Sequence, residues 1–277
     1  MIKKIIFALL FVGLFSGASA QQYQLITDLP YYKEEVRQAD EYINRQCRLD
    51  LYLPKGVKDF PVIVWFHAGG LTSGSKEIPE ALKNQQVGVV SVQYRFHPQV
   101  TAPQYIEDAA AAVAWVFDNI QNYGGQPNRI FLSGHSAGGY LDLMLGMDKK
   151  WLAVHGIDAD QIAGMVPFSG HTITHFTIRK EMGIAGEQPL IDQYAPLFHV
   201  RAGAPPILLI TGDREKELLG RYEENAYFYR MMKVNGARNI DLLEMQGYGH
   251  GMVYPAIPLL LQQVKDWNRK IKTSPNP

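Results

Sequence analysis

The chain has 277 residues and carries 27 basic and 27 acidic side chains, so its formal net charge is zero. That balance argues against a nucleic-acid partner and against general electrostatic attachment to a membrane surface. A single cysteine, Cys47, excludes an internal disulfide. With no neighbouring ligand it reads as a structural thiol, and the fold must be held by its core rather than by staples.

Residues 1–20 read as an export signal. Lys3 and Lys4 form a positive start, residues 5–15 are an apolar run too short to span a bilayer, and Ala18-Ser19-Ala20 is an A-x-A cleavage site. No cysteine follows it, which speaks against a lipid anchor. The mature chain is expected from Gln21, outside the cytoplasm (periplasmic or secreted), with no membrane span. About 257 residues remain, enough for one large α/β domain over 21–277.

Residues 21–45, polar and aromatic, read as an entry arm or short helix. Residues 48–53 alternate polar and apolar, as a half-exposed strand does. Residues 61–66 are a continuous apolar run suited to a strand buried on both faces. A helix over 80–86 and a buried strand over 87–94 follow. Residues 104–122 form an alanine-rich helix closed by Gly124 and Gly125. A strand over 128–133 and a helix over 137–147 come next, then a strand over 162–168. Residues 169–200 lack clean periodicity and read as a lid or substrate-binding insertion. Strands over 206–211 and 239–245 alternate with helices over 218–235 and 256–271. This alternation implies a mostly parallel central sheet with helices on both faces.

Between the strand at 128–133 and the helix at 137–147 lies Gly134-His135-Ser136-Ala137-Gly138. A serine that attacks a carbonyl must stand out on a sharp strand-to-helix turn, and side chains two places before and after it would collide there. The hydroxyl is a poor nucleophile near neutral pH. It needs a base, a group to orient that base, and donors for the developing oxyanion. Of eight histidines, His250 alone follows a late strand in a glycine-rich loop, 247–251, and is the expected base. His67 reads as fixing the turn after its strand, and His135 as packing at the pocket rim. His97, His171 and His175 are candidates to line the substrate site. No histidine pair has the spacing of a zinc hydrolase, so neither metal nor cofactor is expected. The strand ending at Thr211 runs into Gly212-Asp213-Arg214-Glu215-Lys216-Glu217. One of these three carboxylates must hold the second imidazole nitrogen, and periodicity leaves the choice open. His67-Ala68-Gly69-Gly70 follows a buried strand. The N–H groups of Gly69, Gly70 and Ala137 are the expected oxyanion donors.

In this order the residues resemble the α/β-hydrolase superfamily. The chain is most similar to secreted carboxylesterases related to hormone-sensitive lipase and to bacterial polysaccharide-associated esterases. The matching residues are His67-Ala68-Gly69-Gly70, Glu107-Asp108-Ala109, Gly124-Gly125-x-Pro127-x-Arg129-Ile130 and Gly134-His135-Ser136-Ala137-Gly138-Gly139. The likeness covers most of 47–270 and is weakest over 169–200. It implies an α/β-hydrolase fold with a lid insertion and a serine esterase with Ser136 as nucleophile and His250 as base. In many such relatives the acid lies three residues after a glycine that ends the strand. That implies Glu215, with Asp213 as the alternative, and it makes Asp108 structural. The implied substrates are small-molecule or carbohydrate esters with short acyl chains, acetyl groups on carbohydrate among them. Two competing readings are a serine peptidase of prolyl-oligopeptidase type and a catalytically inactive hydrolase fold used for binding.

Overall fold

A computed structural model describes residues 21–218 and 220–273, and the export signal expected over 1–20 lies outside them. Its strands are β1 (Tyr23–Pro30), β2 (Arg48–Pro54), β3 (Phe60–Phe66), β4 (Gly88–Val92), β5 (Gly125–His135), β6 (Gly164–Phe168), β7 (Ile207–Gly212) and β8 (Ile240–Met245). Among the described residues these form one sheet, in the order β1-β2-β4-β3-β5-β6-β7-β8. The pairs from β4 to β8 are parallel, while β1 and β2 join antiparallel at one edge. β5 sits near the middle, and its end is in register with its neighbours: Phe66 pairs Gly134 and His135 pairs Phe168.

The apolar run of β3 serves both faces. Val62, Val64 and Phe66 join one core cluster, and Ile63 and Trp65 join the other. The first cluster packs beneath α3 (Gln104–Asn119) and α4 (Ala137–Met147); the second packs beneath α8 (Val253–Thr273), through Ala256, Ile257, Leu260, Val264 and Trp267. Side chains alternate across a strand, so a fully apolar run is what a doubly covered strand requires. Cys47 is free and buried. No helix among the described residues is long and apolar enough to cross a membrane.

Three elements differ from the expectation. The entry arm contains β1, followed by α1 (Glu34–Ala39) and α2 (Glu41–Gln46). β1 pairs along the sheet edge and has no buried residue, so it carries no hydrophobic alternation to read. The helix expected over 80–86 is a single tight turn, Glu80–Leu82, and the left-handed backbone at Asn84 and Gln86 forbids its extension. The 169–200 insertion holds a short helix, α6 (Phe176–Glu181), after α5 (Lys150–Ala153). The last crossover helix, α7, spans Arg221–Val234.

Candidate active site

Ser136 stands between β5 and α4 with φ 55° and ψ −111°, outside the ordinary regions for a side-chain-bearing residue. Its N–H donates to the Phe168 carbonyl at 2.8 Å, which anchors the turn to β6. The two glycines answer a steric demand. A Cβ on Gly138 would overlap the carbonyl oxygen of Phe66, and one on Gly134 would lie 2.6 Å from the Gly138 carbonyl carbon. β3, β5 and α4 therefore close on one another only without those side chains. Ala137 is the first residue of α4, so its N–H has no carbonyl one turn back to accept it.

The loop after β3 is shaped by hydrogen bonds to its carbonyls. His67 Nδ1 lies 2.5 Å from the Ala68 oxygen. Burial pulls the His67 pKa down to about 4, so the ring is neutral and Nδ1–H is the donor. The Gly69 oxygen accepts the N–H groups of Thr72 and Ser73 at 3.0 and 3.1 Å, and the Thr72 hydroxyl at 3.0 Å. In a trans peptide the carbonyl and the next N–H point opposite ways. Holding the Ala68 and Gly69 oxygens in the turn therefore aims the N–H groups of Gly69 and Gly70 out of it. Gly69 has φ 123°, and a Cβ there would collide with the Ser73 carbonyl, so only glycine fits.

His250 lies in the loop between β8 and α8. Its Nδ1 is 2.6 Å from Glu217 Oε1. Glu217, and neither Glu215 nor Asp213, is the carboxylate that meets the imidazole. The reason is a single helical turn: the N–H groups of Lys216 and Glu217 both donate to the Asp213 carbonyl at 2.8 Å. That turn returns residue 217 to the end of β7, where its Oε2 accepts the Gly212 N–H at 3.0 Å. The Leu218 N–H at 2.9 Å and the Ser169 hydroxyl complete four donors on one carboxylate. Burial alone would raise the Glu217 pKa, but the bonds from His250, Ser169 and Leu218 outweigh it and hold the group down at about 2. Glu215 is exposed. Asp213 has a scaffolding part instead, accepting the N–H of Glu215 at 3.0 Å and of Gly247 at 2.7 Å, which ties the β7 turn to the histidine loop. In the sequence the signal was the spacing of 213 and 217, one helical turn apart.

The remaining histidines divide. His135 is neutral, with its pKa lowered to about 4 by burial and then by the neighbouring His250, so its Nε2–H donates to the His250 carbonyl at 2.8 Å. The two rings lie 4.7 Å apart. His135 thus supports the histidine loop from the elbow itself. His97 is part-exposed, with Nδ1 3.1 Å from Glu181 of α6. His171 and His175, expected to line the substrate site, are buried in scaffolding. His171 Nε2 accepts from Arg221 at 2.7 Å and its Nδ1 lies 2.8 Å from Glu224. His175 Nδ1 accepts the Thr177 N–H at 3.1 Å and caps α6. Arg221, Glu224 and Asn225 of α7 hold the backbone of 169–173 through the Ser169 and Gly170 carbonyls and the N–H groups of Thr172 and Ile173.

A parallel sheet with a serine on a strained strand-to-helix turn, a histidine after the last strand and a carboxylate after the strand before it defines the α/β-hydrolase class. The chain belongs to the BD-FAE family, whose profile matches residues 49–220. It is 26% identical over 234 residues to "Esterase LipC" of Mycobacterium tuberculosis, covering 73% of this chain. It is 38% identical over 242 residues to the "Probable isoprenylcysteine alpha-carbonyl methylesterase ICMEL1" of Oryza sativa, covering 76% of this chain. The chain spans 56% of the length of each. Among solved structures, a truncated carbohydrate esterase from gut microbiota superposes with a TM-score of 0.74 at 17% identity, over 90% of this chain and 98% of that one. At that identity the likeness speaks for the fold.

Proposed function

We propose that the protein is a serine carboxylic ester hydrolase that works through an acyl-enzyme on short-chain acyl esters, with acetyl groups on carbohydrate as the leading natural substrate. The observation that carries this reading is Glu217 against His250 Nδ1 at 2.6 Å, in a chain whose nucleophile turn and glycine loop meet the same sheet edge. The ionised Glu217 fixes the tautomer with the proton on Nδ1, so Nε2 has its lone pair free to act as base. In the proposed sequence His250 takes the Ser136 proton as Oγ bonds to the ester carbon. The N–H groups of Ala137 and of Gly69 or Gly70 hold the negative oxygen. His250 returns the proton to the departing alcohol oxygen as the C–O bond breaks. Water, deprotonated by His250, then releases the acid and restores Ser136.

The names of the relatives LipC and ICMEL1, both esterases, and of the carbohydrate esterase neighbour support an ester over a peptide substrate. The same reading makes residues 21–277 a single domain that acts after export, in the periplasm or outside the cell, once the chain is cleaved near Ala20. Ser136→Ala should lower turnover of p-nitrophenyl acetate by about 10⁴ or more. It should also abolish labelling by a fluorophosphonate probe. Turnover within about tenfold of the parent protein would remove Ser136 from the reaction. An unlabelled parent protein would favour the inactive binding fold.

A further inference from the structure

Phe176 opens α6 and has no part in the groups assigned above, yet it stands against the glycine loop. A Cβ on Gly70 would lie 3.0 Å from its Cζ and 3.6 Å from its Cε2. The next side chain moors the helix there, because the Thr177 hydroxyl donates to the Gly70 carbonyl at 2.5 Å. At its other end α6 is tied down by Glu181, which accepts the Ala102 N–H at 2.9 Å and the Tyr105 hydroxyl. The phenyl ring is braced by two imidazoles, His175 at 4.3 Å and His171 edge-on at 5.5 Å. Both are buried, and each is fixed by its own hydrogen bond. Phe176 is itself only half-buried. Lys180 Nζ lies over one face of the ring, 5.5 Å from its centroid, and the ring's Cζ side stands beside a proposed oxyanion donor.

Chemistry then decides what meets that side. The leaving oxygen must take its proton from His250, whose loop follows β8 at the far edge of the parallel sheet. The carbonyl oxygen must meet the loop after β3, on the other side of β5. We propose that the acyl chain runs past the glycine loop toward Phe176, and that Phe176 sets the upper limit on acyl length, admitting acetyl and propionyl groups and stopping longer straight chains. This rests on the esterase reading and narrows its substrate class.

The test compares kcat/KM of the parent protein, Phe176→Leu and Phe176→Ala on p-nitrophenyl acetate, butyrate and hexanoate. The parent should favour acetate. The hexanoate-to-acetate ratio should rise at least about tenfold in Phe176→Ala, the worth of one or more accommodated methylenes. Phe176→Leu should fall between. Each ratio is read on one preparation, so partial loss of folded protein cancels, and if Phe176→Ala does not fold, Phe176→Leu decides. A ratio unchanged within about twofold overturns the proposal. So does a parent that takes hexanoate as readily as acetate, or a shift confined to a series with the acetyl group fixed and the alcohol varied. Failure of the esterase reading looks different: the parent turns over no ester, or Ser136→Ala keeps its activity.

Discussion

At the scale of single residues, the placement of Glu217 decides how the imidazole works. It is buried and held by four donors, whereas Glu215 faces solvent and Asp213 bonds to backbone N–H groups. Glu217→Gln should therefore lower kcat by about 10⁴, the cost of the wrong imidazole tautomer in a serine triad. Glu215→Gln should stay within about twofold of the parent. Asp213→Asn should act through the histidine loop, costing less than about tenfold because the amide oxygen can still accept the Gly247 N–H. Ser169→Ala removes one donor from the carboxylate and should cost about ten- to a hundredfold, the range for a hydrogen bond to a charged group. Steady-state rates on p-nitrophenyl acetate measure all four. If Glu215→Gln lost more than Glu217→Gln, the acid assigned from the geometry would be wrong.

At the scale of elements, α4 carries a liability as well as the turn at Ser136. Asp142 is fully buried, and neither carboxylate oxygen has a hydrogen-bond partner among the described residues. Burial raises its pKa well above the ordinary carboxylate value. A proton retained in the folded state but lost in the unfolded one makes stability fall as pH rises from the unfolded value, about 3.9, through the folded value. Asp142→Ala removes both the orphaned group and that slope. The difference in Tm between Asp142→Ala and the parent should grow in favour of the variant from pH 4 to pH 8, because only the parent loses stability as the buried carboxyl is driven to ionise. A constant Tm difference across that range would show that Asp142 does not titrate with folding. The elements themselves were legible to different degrees. α4 and its flanking glycines, and β3 with its glycine loop, were readable because steric demand and two-face burial leave a mark in residue type. β1 lies at the sheet edge without a buried residue, and the turn at Glu80–Leu82 ends on left-handed backbone, so neither follows from periodicity. The carboxylate that meets the imidazole was among three named, but its choice depended on one helical turn between Asp213 and Glu217. The burial of His171 depends on α7, fifty residues along, which no local pattern announces.

At the scale of the whole molecule, one carboxylate joins three parts of the chain distant in sequence. Asp108 of α3 is fully buried. It accepts from the Arg95 Nε at 2.9 Å, Nη2 at 2.8 Å and backbone N–H at 3.0 Å, just past β4. It also accepts the Tyr32 hydroxyl at 2.8 Å, from the arm that carries β1. Arg95 reaches on to Asp40, whose side chain caps α2. The arm is thus bonded to α3 and to the segment just past β4, as well as to the sheet edge. Asp108→Ala leaves the Arg95 guanidinium buried without its main partner, and breaking such a pair costs about 3–5 kcal/mol. For a domain of this size that lowers Tm by roughly 6–20 °C. Tyr32→Phe removes one neutral donor to the same carboxylate and should cost about 1.5–3 kcal/mol. The two variants separate a global effect from a local one. Asp108→Ala should melt earlier as a whole, with turnover per folded molecule little changed, because the carboxylate touches neither Ser136 nor His250. Tyr32→Phe should instead show faster proteolysis within 23–46 at temperatures where the far-ultraviolet dichroism is unchanged. If Asp108→Ala melted within about 2 °C of the parent, the arm would be held by its sheet pairing with β2 alone.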